Sequence, residues 1–419
     1  REVNMQTEKK KLFYGWIIVG CLFLITALPM VFQSNFFSYY QVPVSQDLGV
    51  DYVKFSTTNV FNTIAGMVFG IFLAGRVCAG RVRLAMVIGA VGVAVSCFVQ
   101  SFVSQIWQFW CLGFVINIFM NCFTYTPINF IISRWFIDKK GLATSIVFAG
   151  GGVGGAVFSK PFATMLATHG WRYCYRFTGV LALVVVLFVA LVIRKDPSEK
   201  GLQPLHKIDS DEAGGADAQA QMLVGLTKSE ALKTVSFYFY AAAVVMIGMT
   251  AAGIMTHVPT FLIEAELDYA SIMAIYSVGA IFAQLVVGTF YDKVGMTVGL
   301  AGNAAIGIIG LILLSLIHTL GSAIPFIAML CLALGGCVAS LGTPMLTGKC
   351  FGNKDFGAIY GLGNTLFMAG CMIGPMLSAA IREGTGNYIT AWIIYMCIYA
   401  GIFVFGALAL KKSPLSTKK

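Results

Sequence analysis

Apolar runs of about twenty residues recur along nearly the whole chain, separated by short polar breaks, and none of them alternates with a period of two. Long unalternating runs predict membrane-spanning helices, whereas a barrel would show short segments of alternating polarity. Hydropathy and Gly/Pro punctuation place roughly twelve spans. The first half holds Tyr14–Tyr40, Phe55–Val77, Leu84–Phe102, Ile106–Phe136, Gly141–Ala167 and Tyr173–Ile193. The second holds Phe237–Leu262, Ala270–Tyr291, Val298–Ile317, Ala323–Leu346, Gly357–Ile381 and Ile389–Leu410. Between the halves lies the longest polar interruption, with "DSDEAGGADAQAQ" too polar and too rich in Gly and Ala to pack. The organisation expected is a bundle over 1–194, a linker over 195–233 and a second bundle over 234–419. Within the linker, "TKSEALKTVSF" predicts a short amphipathic surface helix.

Composition agrees with this pattern: 58% of the 419 residues are hydrophobic and only 11% are charged, with a mean hydropathy of +0.83. A soluble domain would carry about 25% charged residues. The first run is too long for a signal-peptide core and no cleavage pattern follows it, so it is expected to stay in the mature chain. Met5 is a natural start for a chain that opens here on Arg1.

The net charge of +10 is unevenly placed. "EKKK", "AGRVCAGRVR", "RWFIDKKG", Arg194–Lys233, "YDKVG", "GKCFGNKD" and "KKSPLSTKK" fall on one side, which the positive-inside rule makes cytoplasmic, with both termini. The opposite loops are neutral or acidic apart from Lys54, Arg172, Arg176 and Arg382. Topology and anionic lipid explain the charge without nucleic acid. The 11 cysteines lie mostly in apolar runs with neither a CxxC pair nor histidine at ligand spacing, so no metal or disulfide is expected. No P-loop and no haem or cluster pattern occurs, so no cofactor is expected and an ATP-driven pump or electron carrier is disfavoured.

The loop after the eighth run reads "GTFYDKVG", with Gly288, Asp292, Lys293 and Gly295. It resembles the G-x-x-x-D-[RK]-x-G signature of the major facilitator superfamily, which such proteins carry in both halves. The first copy, "GRVCAGRVR", keeps Arg76, Arg81 and Arg83 but has Gly75 where the acid would stand. That departure weakens the expected latch on the first half. Trp135, Phe136, Lys139, Lys140, Gly141, Leu142 and Ala143, with "FYGW" and "HGWR", are similar to the monocarboxylate transporter and oxalate/formate antiporter branch. The resemblance implies an all-α membrane protein of twelve transmembrane helices in two pseudo-symmetric six-helix bundles, not an enzyme, working as a monomer in the lipid bilayer. It also points to a bacterial cytoplasmic membrane. Gly288, Asp292, Lys293, Arg76 and Arg134 are the conformational gating candidates.

In such a fold the halves rock about a site near the bilayer midplane, where polar side chains are expensive and each needs a reason. No Asp or Glu falls inside a predicted span. Proton coupling would therefore rest on His257, near the outer end of the seventh span, or on a proton carried by the substrate. Lys160, in "VGGAVFSKPFATML", stands about nineteen residues into the fifth span, roughly 28 Å from its start. Two readings stand open for it: a lysine snorkelling to the outer headgroups, or a cation in the substrate vestibule. Asn117, Asn121 and Tyr125 recur at i, i+4 and i+8, which puts them on one helix face. That stripe is either an inter-helix seam or a substrate-lining face, and Gln33 and Asn35 carry the same ambiguity. Tyr276, Gln284 and Asn364 are further candidates from the second half.

The resembling transporters hold a substrate carboxylate with an arginine in the eighth span, a place taken here by Gln284. The lysine that the oxalate/formate type adds is replaced by Phe367. A dicarboxylate substrate is accordingly unexpected. The function expected is secondary or facilitative transport of an organic anion, a monocarboxylate first, by exchange, uniport or proton-linked symport. The alternatives are an exporter of neutral or amphipathic compounds and a non-transporting membrane sensor.

Overall fold

The computed structural model describes residues 13–50, 52–203, 225–317 and 323–415. The run Lys9–Lys11, the acidic part of the linker and most of the loop "HTLGSA" lie outside them. Eleven helices among the described residues are long and apolar enough to cross a membrane, and the 53-residue one is two spans, so the chain crosses twelve times. In a bilayer core each backbone N–H and C=O must be satisfied within its own segment, which an uninterrupted apolar run achieves only as a helix. The first half comprises α1 (Tyr14–Leu48), α2 (Thr57–Ala79), α3 (Val82–Gln100), α4 (Ile106–Trp135), α5 (140–169) and α6 (171–192). The second comprises α7 (Val235–Glu264), α8 (Tyr269–Val294), α9 (Met296–Ser315), α10 (Ile324–Phe351), α11 (Phe356–Thr385) and α12 (Ile389–Lys411).

The turn between α5 and α6 takes no loop at all. Gly170 reverses the chain at φ 77°, ψ 169°, a conformation that residues with a Cβ avoid, which explains the glycine in "HGWR". α1 runs past its predicted end: "QVPVSQDL" continues as helix to Leu48 and stops at Gly49, φ 62°. Within the linker a short helix, Lys228–Leu232, is closed by a capping box in which Thr227 and Glu230 satisfy each other's backbone N–H groups.

Buried apolar residues form two clusters, one running from Ile18 to Ile193 and one from Ala231 to Ala409. Phe356 and Tyr360 of α11 belong to the first cluster, so α11 enters the packing of the opposite half at one end of the molecule. That end carries Arg76, Lys139, Lys293 and Lys349 and is called the basic end below. Several helices lose α-helical geometry part-way along their length. α1 has a π-turn over Thr26–Met30 that contains Pro29, and α2 and α10 have π-turns over Phe69–Leu73 and Val338–Gly342. α4 unwinds over residues 122–124. Irregular backbone within a membrane span is tolerated where protein or a wet cavity surrounds it.

Candidate functional site

The two halves meet at the basic end along two seams. On the α5–α8 seam, Asp292 accepts hydrogen bonds from two amides in the first turn of α5, Gly141 N to Oδ1 and Leu142 N to Oδ2, each 2.8 Å. Those amides have no partner within their own helix, and the helix dipole favours a carboxylate there. Gly288 permits the approach: a Cβ on it would lie 2.6 Å from the Gly141 carbonyl oxygen. Lys140 lies over the Phe356 ring at 4.6 Å. On the α2–α11 side, Thr365 Oγ1 donates to the Met67 carbonyl at 3.1 Å, and buried Asn129 Nδ2 of α4 donates to the Tyr360 hydroxyl at 3.2 Å.

Toward the other end the last close glycine approaches between the halves, among the described residues, are Gly66 against Met368 and Gly152 against Ile281. The polar ties found there stay within one half. Arg172 pairs with Asp47 at 2.6 Å in the first half, and Arg382 with Glu264 at 2.6 Å in the second. The bundle is closed at the basic end.

Above the closed end lies a cavity of about 320 Å³. Gln33 and Ser34 of α1, Asn59, Asn62 and Thr63 of α2 and Asn117 of α4 form its polar wall, and Met368 of α11 closes it from the second half. Every lining residue is uncharged. Asn121 Nδ2 donates to Asn117 Oδ1 at 2.8 Å, which fixes the Asn117 carboxamide and leaves its NH₂ group as a donor. Asn59, Asn62 and Thr63 escaped the sequence reading although they recur at i, i+3 and i+4 inside "STTNVFNTI". A larger groove of about 520 Å³ between α8 and α10 is walled by Ile275, Phe282, Val286 and Leu330. Its exposed aliphatic surface suits lipid chains.

The other expected site residues scatter around this cavity. The face shared by Asn117, Asn121 and Tyr125 is broken, because the unwound turn ends the helix at Asn121 and Tyr125 starts the next one. Tyr125 stacks on Phe148 with centroids 5.7 Å apart. Nothing in "CFT" breaks a helix by itself, so the residues alone carried no signal of this correction. Asn35 lies beside Gly155 of α5, outside the cavity wall. Gln284 Oε1 and Asn364 Nδ2 are buried without a hydrogen-bond partner among the described residues, while Tyr276 packs against the second core.

Lys160 is exposed, and among the described residues its ammonium makes no hydrogen bond or salt bridge. It lies two residues from both Phe158 and Phe162, which contact Phe32 of α1, so it occupies a different face of α5. His257 Nε2 stands 3.1 Å from the Pro375 carbonyl, which can only accept, so this nitrogen carries the proton. Its Nδ1 lies 3.3 Å from the Tyr388 hydroxyl. The histidine thus ties α7 to α11 and to the turn before α12. Arg134 pairs at 3.6 Å with Asp196, just past the end of α6, while Arg76 and Lys293 are exposed at the basic end.

The family model described as Major Facilitator Superfamily matches residues 22–375. The chain belongs to this superfamily. It is a multi-pass membrane transporter rather than an enzyme. In fold it is similar to the proton:xylose symporter XylE, with a TM-score of 0.72 at 14% identity over 95% of both chains. Among curated proteins, the uncharacterized transporter ESBP6 of Saccharomyces cerevisiae is 25% identical over 44% of this chain and 28% of its own length. The aspyridones efflux protein apdF of Emericella nidulans is 24% identical over 76% of this chain and 62% of its own. Monocarboxylate transporter 11 of Mus musculus is 25% identical over 67% of this chain and 62% of its own. The chain spans less than two thirds of the length of these relatives. They come from fungi and a mammal, so the bacterial origin expected above is not supported.

Proposed function

We propose that this transporter works by alternating access, with the basic end facing the cytoplasm, and that its cavity holds an uncharged organic compound rich in hydrogen-bonding groups. The observation that carries the reading is the cavity wall, where carboxamides and hydroxyls converge and no charge is present. Amides and hydroxyls can replace the hydration of a neutral solute group by group, whereas a bare carboxylate would lose far more solvation than they return. Gln284, at the place of the branch's arginine, supports the same reading. Transport of such a compound is by exchange or uniport, since His257 is engaged in a tie within its own half.

A second reading, the organic anion of the monocarboxylate branch, is favoured by the exposed, unpaired Lys160 and by the likeness to monocarboxylate transporter 11. Thermal-shift titration against paired neutral and carboxylate compounds separates the two, because any ligand of the folded state stabilises it. The neutral reading expects stabilisation by uncharged members, weakened at least tenfold in apparent affinity by Asn117→Leu and untouched by Lys160→Gln. Stabilisation by carboxylates alone, lost in Lys160→Gln, would refute it and establish the anion.

A further inference from the structure

The two seams at the basic end are built unequally. On the α5–α8 side a carboxylate of the signature loop caps the facing helix. On the α2–α11 side the equivalent place is Gly75, and a Cβ there would lie 2.8 Å from the Ala358 Cβ, so close packing has replaced the acid. No side chain of the α2–α3 loop reaches the start of α11 in its stead among the described hydrogen bonds.

The linker reaches that place. Leu226 N donates to the Phe351 carbonyl at 2.9 Å, and Gly225 bridges to Gly352, which fastens the segment to the loop between α10 and α11. The backbone N–H of Lys228 donates to Asp355 Oδ2 at 2.9 Å, and Asp355 is the residue that precedes α11. From the same residue, the Lys228 ammonium donates to the Ile71 carbonyl at 3.2 Å, inside the π-turn of α2. One residue therefore holds the second half by its backbone and the first half by its side chain.

We propose that Lys228 is the latch of the α2–α11 seam: it holds the basic end shut in place of the missing signature aspartate, and it must release Ile71 before that end opens. The proposal rests on the alternating-access reading. The backbone bond to Asp355 survives any substitution at 228 except proline, so Lys228→Gln removes only the contact that crosses between the halves. Arginine is long enough and cationic, so Lys228→Arg preserves it.

Hydrogen–deuterium exchange of the full chain in lipid nanodiscs, followed by mass spectrometry, reads the seam directly. Lys228→Gln should speed exchange over residues 67–79 and 356–365 roughly fivefold, the factor that one net hydrogen bond is worth. Lys228→Arg should match the wild type, and residues 227–232 should remain as protected as before. A merely structural contribution of the linker would instead loosen 227–232. Asp292→Asn serves as the control for the gate. If it speeds exchange and Lys228→Gln does not, Lys228 is no latch. If neither variant changes exchange, the gate reading falls as well.

Discussion

Replacing Asp292 by asparagine tests whether the basic end is a gate. The aspartate accepts two hydrogen bonds at 2.8 Å from amides that α5 itself leaves unpaired. Asparagine keeps one carbonyl acceptor and turns an NH₂ group toward the other amide, so one charge-assisted bond is lost and two donors face each other. A hydrogen bond to a charged group is worth about 1.5–3 kcal/mol and the charge at a helix N-terminus about 0.3–1 kcal/mol. Asp292 is only half-buried, so solvent screening argues for the lower part of the combined range, about 2 kcal/mol.

At about 1.4 kcal/mol per factor of ten, that shifts the balance between closed and open basic ends roughly thirtyfold toward open. A reporter is already in place. Cys78 of α2 is 2% exposed, packed against Gly357 in the first turn of α11, and becomes accessible only when the α2–α11 seam parts. Its alkylation by a maleimide, followed by peptide mass spectrometry, should accelerate about thirtyfold in Asp292→Asn if opening is fast relative to labelling. An unchanged rate in a variant with an unchanged melting temperature would refute the reasoning, because the caps would then carry no load between the halves.

Two further outcomes are expected. Gly170→Ala forces a side chain into φ 77°, ψ 169° and should destabilise the fold by about 1–3 kcal/mol, seen as a lower melting temperature in detergent, whereas Gly151→Ala, in open space, should leave it unchanged. Thr227→Ala removes half of the linker's capping box at a cost of about 1 kcal/mol, read as faster exchange over residues 227–232. The backbone N–H of Thr227, donating at 2.7 Å, holds the Glu230 carboxyl below its ordinary range. A depressed carboxyl contributes stability above its unfolded pKa, about 4.3, and loses it as pH falls through the lower folded value. Protection of residues 227–232 from an acid-active protease should accordingly be retained as pH falls to the unfolded value and be lost only below it.

What the sequence revealed and what it hid divide along one physical line. The twelve crossings were legible because a bilayer leaves the backbone no alternative to helix, so an apolar run is enough to place each one. Asp292 was legible because its signature spacing is local. The unwound turn in α4 was not, since Cys122, Phe123 and Thr124 are compatible with helix and only their surroundings decide otherwise. The same holds for the cavity, whose α2 wall of Asn59, Asn62 and Thr63 becomes meaningful only when α1 and α4 stand opposite it. Lys228 is the extreme case, for its partner Ile71 is 157 positions away and is a backbone carbonyl, which carries no side-chain signature at all. Helix placement in this protein is thus a property of single segments. The seams at the basic end are properties of segments paired across the two halves, and the polar cavity of segments paired mainly within the first, so residues that look interchangeable along the chain acquire distinct places only through that pairing.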